Sequence, residues 1–447
     1  MECVSRKAAF RASCASFTNG DRSSNARLAL VERPANRKMP KPNGPSILYI
    51  AAEYRAAEVR EKKHEHNFEA RHASGYFDRV WSVHPTADLV GAERGRIHLV
   101  RFSPRHLVVE GVTELYELPR FLLPLNFLMS QARLLWLLRR LVRKHGISVI
   151  AATDPFLSGI LAWALSRLTG KPLVIRIGGN YEELYREAGG LAMPRLIPSY
   201  RLQTMIGRFV LRRADLVAGN NRNNLTWAIA NGARRHTAII PISGNVQRVH
   251  LRPPEERTNG PKVFHKHGIP FGVPAMIYVG RLLKLKQPDE ALRAMALVME
   301  QEPSSIGIFA GAGPMLQELQ ELAVNLGVRD RIHFLGQTTQ ENLSEIIPHC
   351  VTASPLTGLS LIECGLGGSP PVGYDRDWQA EFIEDGVNGF LVADHDYRAM
   401  ADRLLQIIRD PVLKARLSGA IRERALHQMD ADAVRALEKE AFDKVLG

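Results

Sequence analysis

Short apolar runs recur along this 447-residue chain, each closed by a glycine or a polar turn and followed by a stretch whose apolar positions return every three or four residues. Residues 46–52, 147–152, 172–177 and 214–219 have this form in the front half; 275–279, 308–310 and the approach to Pro355 repeat it behind. Runs apolar on both faces fit strands covered by helices on either side, so the pattern predicts an α/β fold built on parallel sheets. A helix is expected to open at Gly358 and cover 359–366, and an amphipathic one to close the chain over 431–445. Residues 121–144 form the longest apolar stretch. Pro124 and Asn126 near its start and Arg133 in its middle keep it short of a membrane span, so the chain reads as soluble.

Punctuation divides the chain. Residues 253–261 are Pro-rich and polar, which places a domain boundary there. The expected units are a disordered extension over 1–44, an N-terminal domain over 45–255, a C-terminal domain over 256–430 and a closing helix over 431–447. Residues 1–44 carry Arg and Ser without apolar periodicity; they suit either a transit peptide or an over-extended start, with Met39 as the true initiator. Four cysteines, none in a C-x-x-C pair, point to a reducing compartment and away from structural zinc.

Charge separates the halves. Of the formal +13, residues 45–255 hold 30 Lys and Arg against 17 Asp and Glu, whereas residues 256–447 hold 20 against 26. A basic front half suits an anionic membrane surface or a phosphate-bearing acceptor. Without finger spacing or an aromatic RNP-like strand, it offers no nucleic-acid module. Residues 121–144, basic and amphipathic with Trp136 at the boundary, fit either a lipid interface or a helix laid over the sheet.

The candidate chemistry sits at the ends of the rear strands. Gly280 allows a sharp exit after 275–279, and Arg281 and Lys286 place two cations where a diphosphate would need them. Gly311 and Gly313 permit close backbone approach at a second strand end. Gly358, Leu359 and Ser360 start a helix with free N–H groups, and Glu363 follows about one and a half turns in, within reach of a sugar hydroxyl.

Gly280-Arg281-Leu282 with Lys286, Gly311-x-Gly313-Pro314, the run from Arg331 to Gly336 and the run from Asp385 to Val392 together resemble a family 4 retaining glycosyltransferase of the GT-B fold. The likeness extends from about Asn43 to the end. It implies two Rossmann-like parallel-sheet domains facing a central cleft, and transfer from a nucleotide-diphosphate sugar without a cofactor or metal. It implies that Arg281 and Lys286 bind the diphosphate, that backbone near Gly336 meets the base, and that Glu363, as the second glutamate of an E-x7-E motif, holds the ribose. Pro355 stands where that motif has its first glutamate, which marks a variant branch. A non-hydrolysing sugar-nucleotide epimerase and a catalytically weakened binding subunit are the rival readings within the fold. A dinucleotide-dependent oxidoreductase is disfavoured because residues 51–63 contain no glycine.

On the front side, the resemblance implies that the two strand ends at Thr153-Asp154-Pro155 and Gly178-Gly179-Asn180 face the cleft, on the edge where ligands of open α/β sheets gather. Asp154 and Asn180, before Arg176 and Glu182, are candidates to position the acceptor; Asp154 also fits a helix cap and Gly178-Gly179-Asn180 a plain turn. Arg55, Arg60 and the Lys62-Lys63-His64 cluster suit an anionic acceptor or a solvated helix face. The expected acceptor is a glycan or lipid-linked saccharide, at a cytoplasmic site and in peripheral contact with the inner face of the membrane.

Overall fold

The computed structural model describes residues 44–61, 65–90, 95–189, 191, 197–241 and 246–447. The extension with Met39, the Lys62-Lys63-His64 cluster and the loop 242–245 lie outside the described residues.

Two sheets carry the chain. The front sheet contains β1 (Ser46–Ile50), β2 (Arg79–His84), β3 (His98–Ser103), β4 (His106–Glu110), β5 (Val149–Ala152), β6 (Leu173–Ile177), β7 (Leu216–Gly219) and β8 (His236–Ile239). Its order is β3-β4-β2-β1-β5-β6-β7-β8, and all neighbours are parallel except the β3/β4 pair at the edge. The rear sheet contains β9 (Ala275–Val279), β10 (Ile306–Ala310), β11 (Ile332–Gly336), β12 (Cys350–Ser354), β13 (Pro371–Tyr374) and β14 (Phe390–Val392). It is wholly parallel, in the order β11-β10-β9-β12-β13-β14. Every residue of β1 and β9 is buried, as an apolar run covered on both faces requires.

Strand order decides where a ligand can sit. In both sheets the connections reverse direction about the central pair, β1/β5 in front and β9/β12 behind, leaving a crevice beyond their carboxyl ends. The loops that leave β9 and β12 are 280–286 and 355–359, the two stretches with the richest candidate chemistry.

The helices used below are α1 (Leu123–His145), α2 (Leu157–Thr169), α3 (Tyr181–Ala188), α4 (Tyr200–Leu211), α5 (Arg222–Ala230), α6 (Ser360–Leu366), α7 (Pro411–Gln428) and α8 (Ala431–Leu446). Although last in sequence, α8 packs on the front sheet: Ala441 and Phe442 join the core of Ile47, Tyr49 and Val149, and the Tyr76 hydroxyl donates to Asp443 at 2.7 Å. The chain thus crosses between the lobes twice. Val246 already packs with Leu361 and Ile362 of the rear lobe, and His250 bonds Gln340 at 2.6 Å, so the polar stretch 253–261 lies within that lobe and is no slack tether. Arg257 is buried, donating to the carbonyls of His250 at 2.6 Å, Ser344 at 3.0 Å and Leu366 at 3.2 Å, which fastens the connection to the rear lobe.

Strand β8 occupies residues that the sequence pattern leaves unassigned. It is an edge strand with no fully buried residue, so its apolar signal is weak.

Candidate active site

The loop after β9 is held before any ligand arrives. Tyr278 is fully buried, and its hydroxyl lies 3.2 Å from the Arg281 carbonyl and 3.3 Å from that of Lys286, so both ends of the loop hang on one side chain. Leu282 N–H donates to Ala312 O at 3.0 Å and Met315 N–H to Leu282 O at 3.1 Å, zipping the loop to the segment that leaves β10. The glycines make that approach possible. Gly311 has φ +154°, and a Cβ there would fall inside the Gly280 carbonyl; one on Gly313 would fall inside that of Leu282. Gly336, at φ +64°, accepts from the Gly311 N–H at 2.9 Å. Gly313→Ala is therefore expected to cost about 1–3 kcal/mol through forced backbone displacement, measured as a lower thermal midpoint together with weakened donor binding.

The turn after β12 is held by Gln379. Its amide donates to Pro355 O at 2.8 Å, while its carbonyl oxygen accepts from Ser354 Oγ at 2.8 Å and Thr357 N–H at 3.2 Å. The Trp378 indole donates to Thr357 O at 3.1 Å. Ser360, a donor-binding candidate through the free N–H groups of the helix start, has its hydroxyl on the Val279 carbonyl at 2.7 Å, where it ties α6 to β9. Leu361 is the first residue of this turn whose N–H meets a helical carbonyl, Gly358 O at 3.0 Å. Glu363 is buried, with Oε1 4.0 Å from His250 Nε2. Burial pushes its carboxyl up to about 7 and His250 down to about 4, so near neutral pH the pair is not a fixed ion pair.

Between the lobes lies a cleft of about 370 Å³ walled by both. Arg281, Lys286, Gly358 and Leu359 wall it from behind and Asn180 from the front; Asp154, Glu363, Gly280, Gly311, Gly313, Gly336 and Ser360 are not among its lining residues. Asp154 is buried and turned to its own loop, accepting the Phe156 N–H at 2.8 Å, and burial raises its carboxyl to about 6. Asn180 caps α3, its side-chain oxygen accepting from Glu182 N–H at 3.1 Å and Glu183 N–H at 3.3 Å. Arg176 donates to the Ile240 carbonyl at 3.1 Å, and Glu182 pairs with Arg186 at 3.5 Å on the surface. Arg60 donates to the carbonyls of Arg101 and Phe102, at 3.2 and 3.3 Å, and so serves the front lobe's own edge.

The cleft also holds residues that the sequence pattern did not single out. Asp377, at φ +53°, and Trp378 line it from the loop after β13, and Glu183 lines it from α3. Burial lowers the Lys286 ammonium pKa, while Asp377 acts in the opposite direction. Contacts across the cleft come from this loop and from the short helix after it, Gln379–Phe382. Glu381 accepts from the first N–H groups of α5, Arg222 at 2.8 Å and Asn223 at 2.6 Å, and Arg376 pairs with Glu183 at 3.6 Å. A carboxylate at a helix N-terminus is a favourable contact, so it ties the lobes as found. The general rule that ligands gather at strand carboxyl ends would have pointed to residues 375–378. Among the described residues no group of three or more His, Cys, Asp or Glu side chains is placed to share a metal ion, and no helix is long and apolar enough to cross a membrane.

Two family descriptions match the chain, "Glycosyl transferase 4-like domain" over residues 51–243 and "Glycosyl transferases group 1" over residues 261–424. A D-inositol 3-phosphate glycosyltransferase of Corynebacterium diphtheriae is 30% identical over 303 residues, 63% of this chain and 68% of that protein. The chain belongs to the family 4 type glycosyltransferases. The same enzyme name is borne by a Nocardiopsis dassonvillei relative, 31% identical over 230 residues, 48% of this chain and 53% of that one. The glycosyltransferase chain thus spans about half to two thirds of the length of these relatives. Its fold is that of sucrose-phosphate synthase from Thermosynechococcus elongatus, with a TM-score of 0.67 at 17% identity over 90% of this chain and 98% of that one. Anabaena HepE, solved with UDP and glucose, gives a TM-score of 0.65 at 17% identity over 89% and 99%. At such identities the likeness shows the GT-B architecture of this glycosyltransferase and nothing of its substrates.

Proposed function

We propose that this glycosyltransferase moves a sugar from a nucleoside-diphosphate donor to a hydroxyl of a glycan or lipid-linked acceptor, with retention of configuration. The observation that carries the reading is the shared cleft: Arg281, Lys286 and the Gly358-Leu359 turn converge at the rear sheet's switch point, opposite strand ends of the front sheet. Breaking the bond between the anomeric carbon and the diphosphate oxygen leaves the electron pair on the phosphate, and Arg281 and Lys286 stabilise that charge. The acceptor oxygen forms its bond on the face the leaving group vacates, and its proton passes to the departing phosphate oxygen. Glu363 holds the ribose and takes no part in the bond exchange. Asn180, beside the cleft, steers the acceptor, whereas buried Asp154 acts by holding the β5 turn. Mass-spectrometric screening of nucleotide sugars against lipid-linked and soluble glycan acceptors tests the reading. A glycosylated product supports it; conversion of a donor to its epimer without acceptor would replace it.

A second reading has one observation in its favour. Pro355 gives the donor-sugar side a carbonyl already bonded to Gln379, with no carboxylate at that position. Donor binding without turnover would make the protein a binding subunit.

The front lobe supports work at an anionic bilayer. Leu134, Leu138 and Val142 of α1 are buried against the sheet, but Phe121 just before it is 80% exposed and Leu128 64% exposed, followed on the exposed side by Arg133, Arg143 and Lys144. Trp136 stacks under Arg140 at 3.9 Å. An apolar tip beside a basic flank suits a headgroup interface. Leu128→Glu is expected to weaken capture on phosphatidylglycerol vesicles by about tenfold or more, since burying one leucine contributes ~1.5–3 kcal/mol; unchanged sedimentation would remove the membrane from the proposal.

A further inference from the structure

The opposite end of the front sheet carries a second concentration of charge. Gly178 and Asn220 follow β6 and β7 into the cleft, whereas Pro172 and Asp215 precede the same strands. A groove at that amino-terminal edge is thus a strand's length, about 15 Å, from the donor site. One hollow of about 310 Å³ is lined by Trp163, Arg167, Arg212, Arg213, Asp215 and Arg235. It continues through Arg167, Asp215 and Arg235 into a second of about 480 Å³, which adds Lys171, His236 and Lys444.

Arg212, Arg213 and Arg235 are held, which surface arginines usually are not. The stem of Arg212 lies on Gly232, at φ +111°, where a Cβ would come within 2.8 Å of Arg212 Cγ. Arg213 stacks 3.8 Å over the Phe209 ring and donates to the Phe209 carbonyl at 3.1 Å. Arg235 donates to the Asp215 carboxylate, whose other oxygen accepts the Leu173 N–H at 2.9 Å. Asp215 is the one carboxylate among the described residues that line the groove, and Lys444 is paired with Glu440 at 2.7 Å. The carboxyl ends of α2 and α4 lie here and offset part of the charge, roughly half a unit each. Arg167, Arg212, Arg213 and Lys171 are still left in excess, and holding them together costs repulsion that a multivalent anion relieves. Fixed guanidinium forks match phosphate oxygens two at a time, and their ordering lowers the entropy lost on binding.

We propose that this groove binds a phosphate-bearing polyanion, at a site separate from the donor cleft. Soluble polyphosphate and the headgroups of anionic lipid share that chemistry, and the experiment separates them. The intact protein and its Arg212→Gln/Arg213→Gln and Arg281→Ala variants are titrated calorimetrically with inorganic pyrophosphate, then sedimented with phosphatidylglycerol and with phosphatidylcholine vesicles. Pyrophosphate is expected to bind wild-type protein at two sites. The double variant loses one at least tenfold and keeps the other, which also shows that it is folded; Arg281→Ala does the reverse. Loss of vesicle capture alone in the double variant would assign the groove to lipid headgroups, and loss of pyrophosphate binding alone to a soluble anion. If the double variant titrates and sediments like wild type, the proposal is wrong, whatever Arg281→Ala does.

Discussion

Arg281→Ala and Lys286→Ala are each expected to lower the rate of sugar transfer by about two to three orders of magnitude, the cost of removing one group that stabilises charge on a leaving oxygen. Both cations belong to a loop whose backbone is fixed by Tyr278 and by the Gly311–Gly313 segment, so neither can be replaced by a shift of its neighbour. Because the charge they oppose grows as the bond breaks, kcat should fall more than KM rises. Lys286→Arg should restore little, since a planar guanidinium on a longer stem does not reproduce the compact charge that an ammonium places near Asp377 and Arg281. The two effects should not add, because both groups serve one diphosphate. Rates near wild type in both single variants, with unchanged melting, would contradict the assignment.

Glu363→Gln is the second large effect, expected to weaken donor binding by about ten- to a hundredfold, because hydrogen bonds to a charged group contribute ~1.5–3 kcal/mol each. The pH dependence is the more specific test. Burial raises this carboxyl from 4.5 to about 7, so the free protein holds a proton there that the unfolded chain has lost. Its contribution to stability is full below about 4.5 and disappears as pH rises through 7, because between those values the native state binds more protons. Ribose hydroxyls donating to Glu363 need the ionised form, so donor affinity should move the other way and increase as pH rises from 6 to 8. A nucleotide sugar has no phosphate titrating in that range, so the trend would report on the protein. In Glu363→Gln both trends should flatten. If donor affinity is flat in wild type as well, Glu363 does not hold the ribose.

What the sequence disclosed depended on how local the cause was. The central strands β1, β5, β7 and β9, and β6 apart from Arg176, are apolar on both faces, and their signal survives without tertiary context. Edge strand β8 has no such signal, because its burial is partial. The placement of Arg281 and Lys286 at the cleft was legible because both follow a glycine at a strand end within seven residues. The bond from the Ser360 hydroxyl to Val279, 81 positions away, has no local signal in the sequence. Gly311 and Gly313 were recognised as close-approach positions, and the partner they approach is the neighbouring loop at Gly280 and Leu282. Glu183 and Glu381 were missed because their roles arise from two lobes meeting across more than 150 residues of sequence, whereas Asp377 was open to the strand-end rule and only its contact with Asn223 is non-local. The closing helix was visible as an amphipathic stretch, but its seat on the front sheet required the Phe442 and Tyr76 contacts to be seen.

The most direct test of the donor site is a crystal structure of the protein with the nucleoside diphosphate, chosen from UDP, GDP and ADP, that binds it most tightly in solution. Both phosphates should lie within hydrogen-bonding distance of Arg281 and Lys286, against the Gly358-Leu359 turn, with the ribose hydroxyls on Glu363. A diphosphate seated elsewhere, with Arg281 and Lys286 left in solvent, would contradict the account.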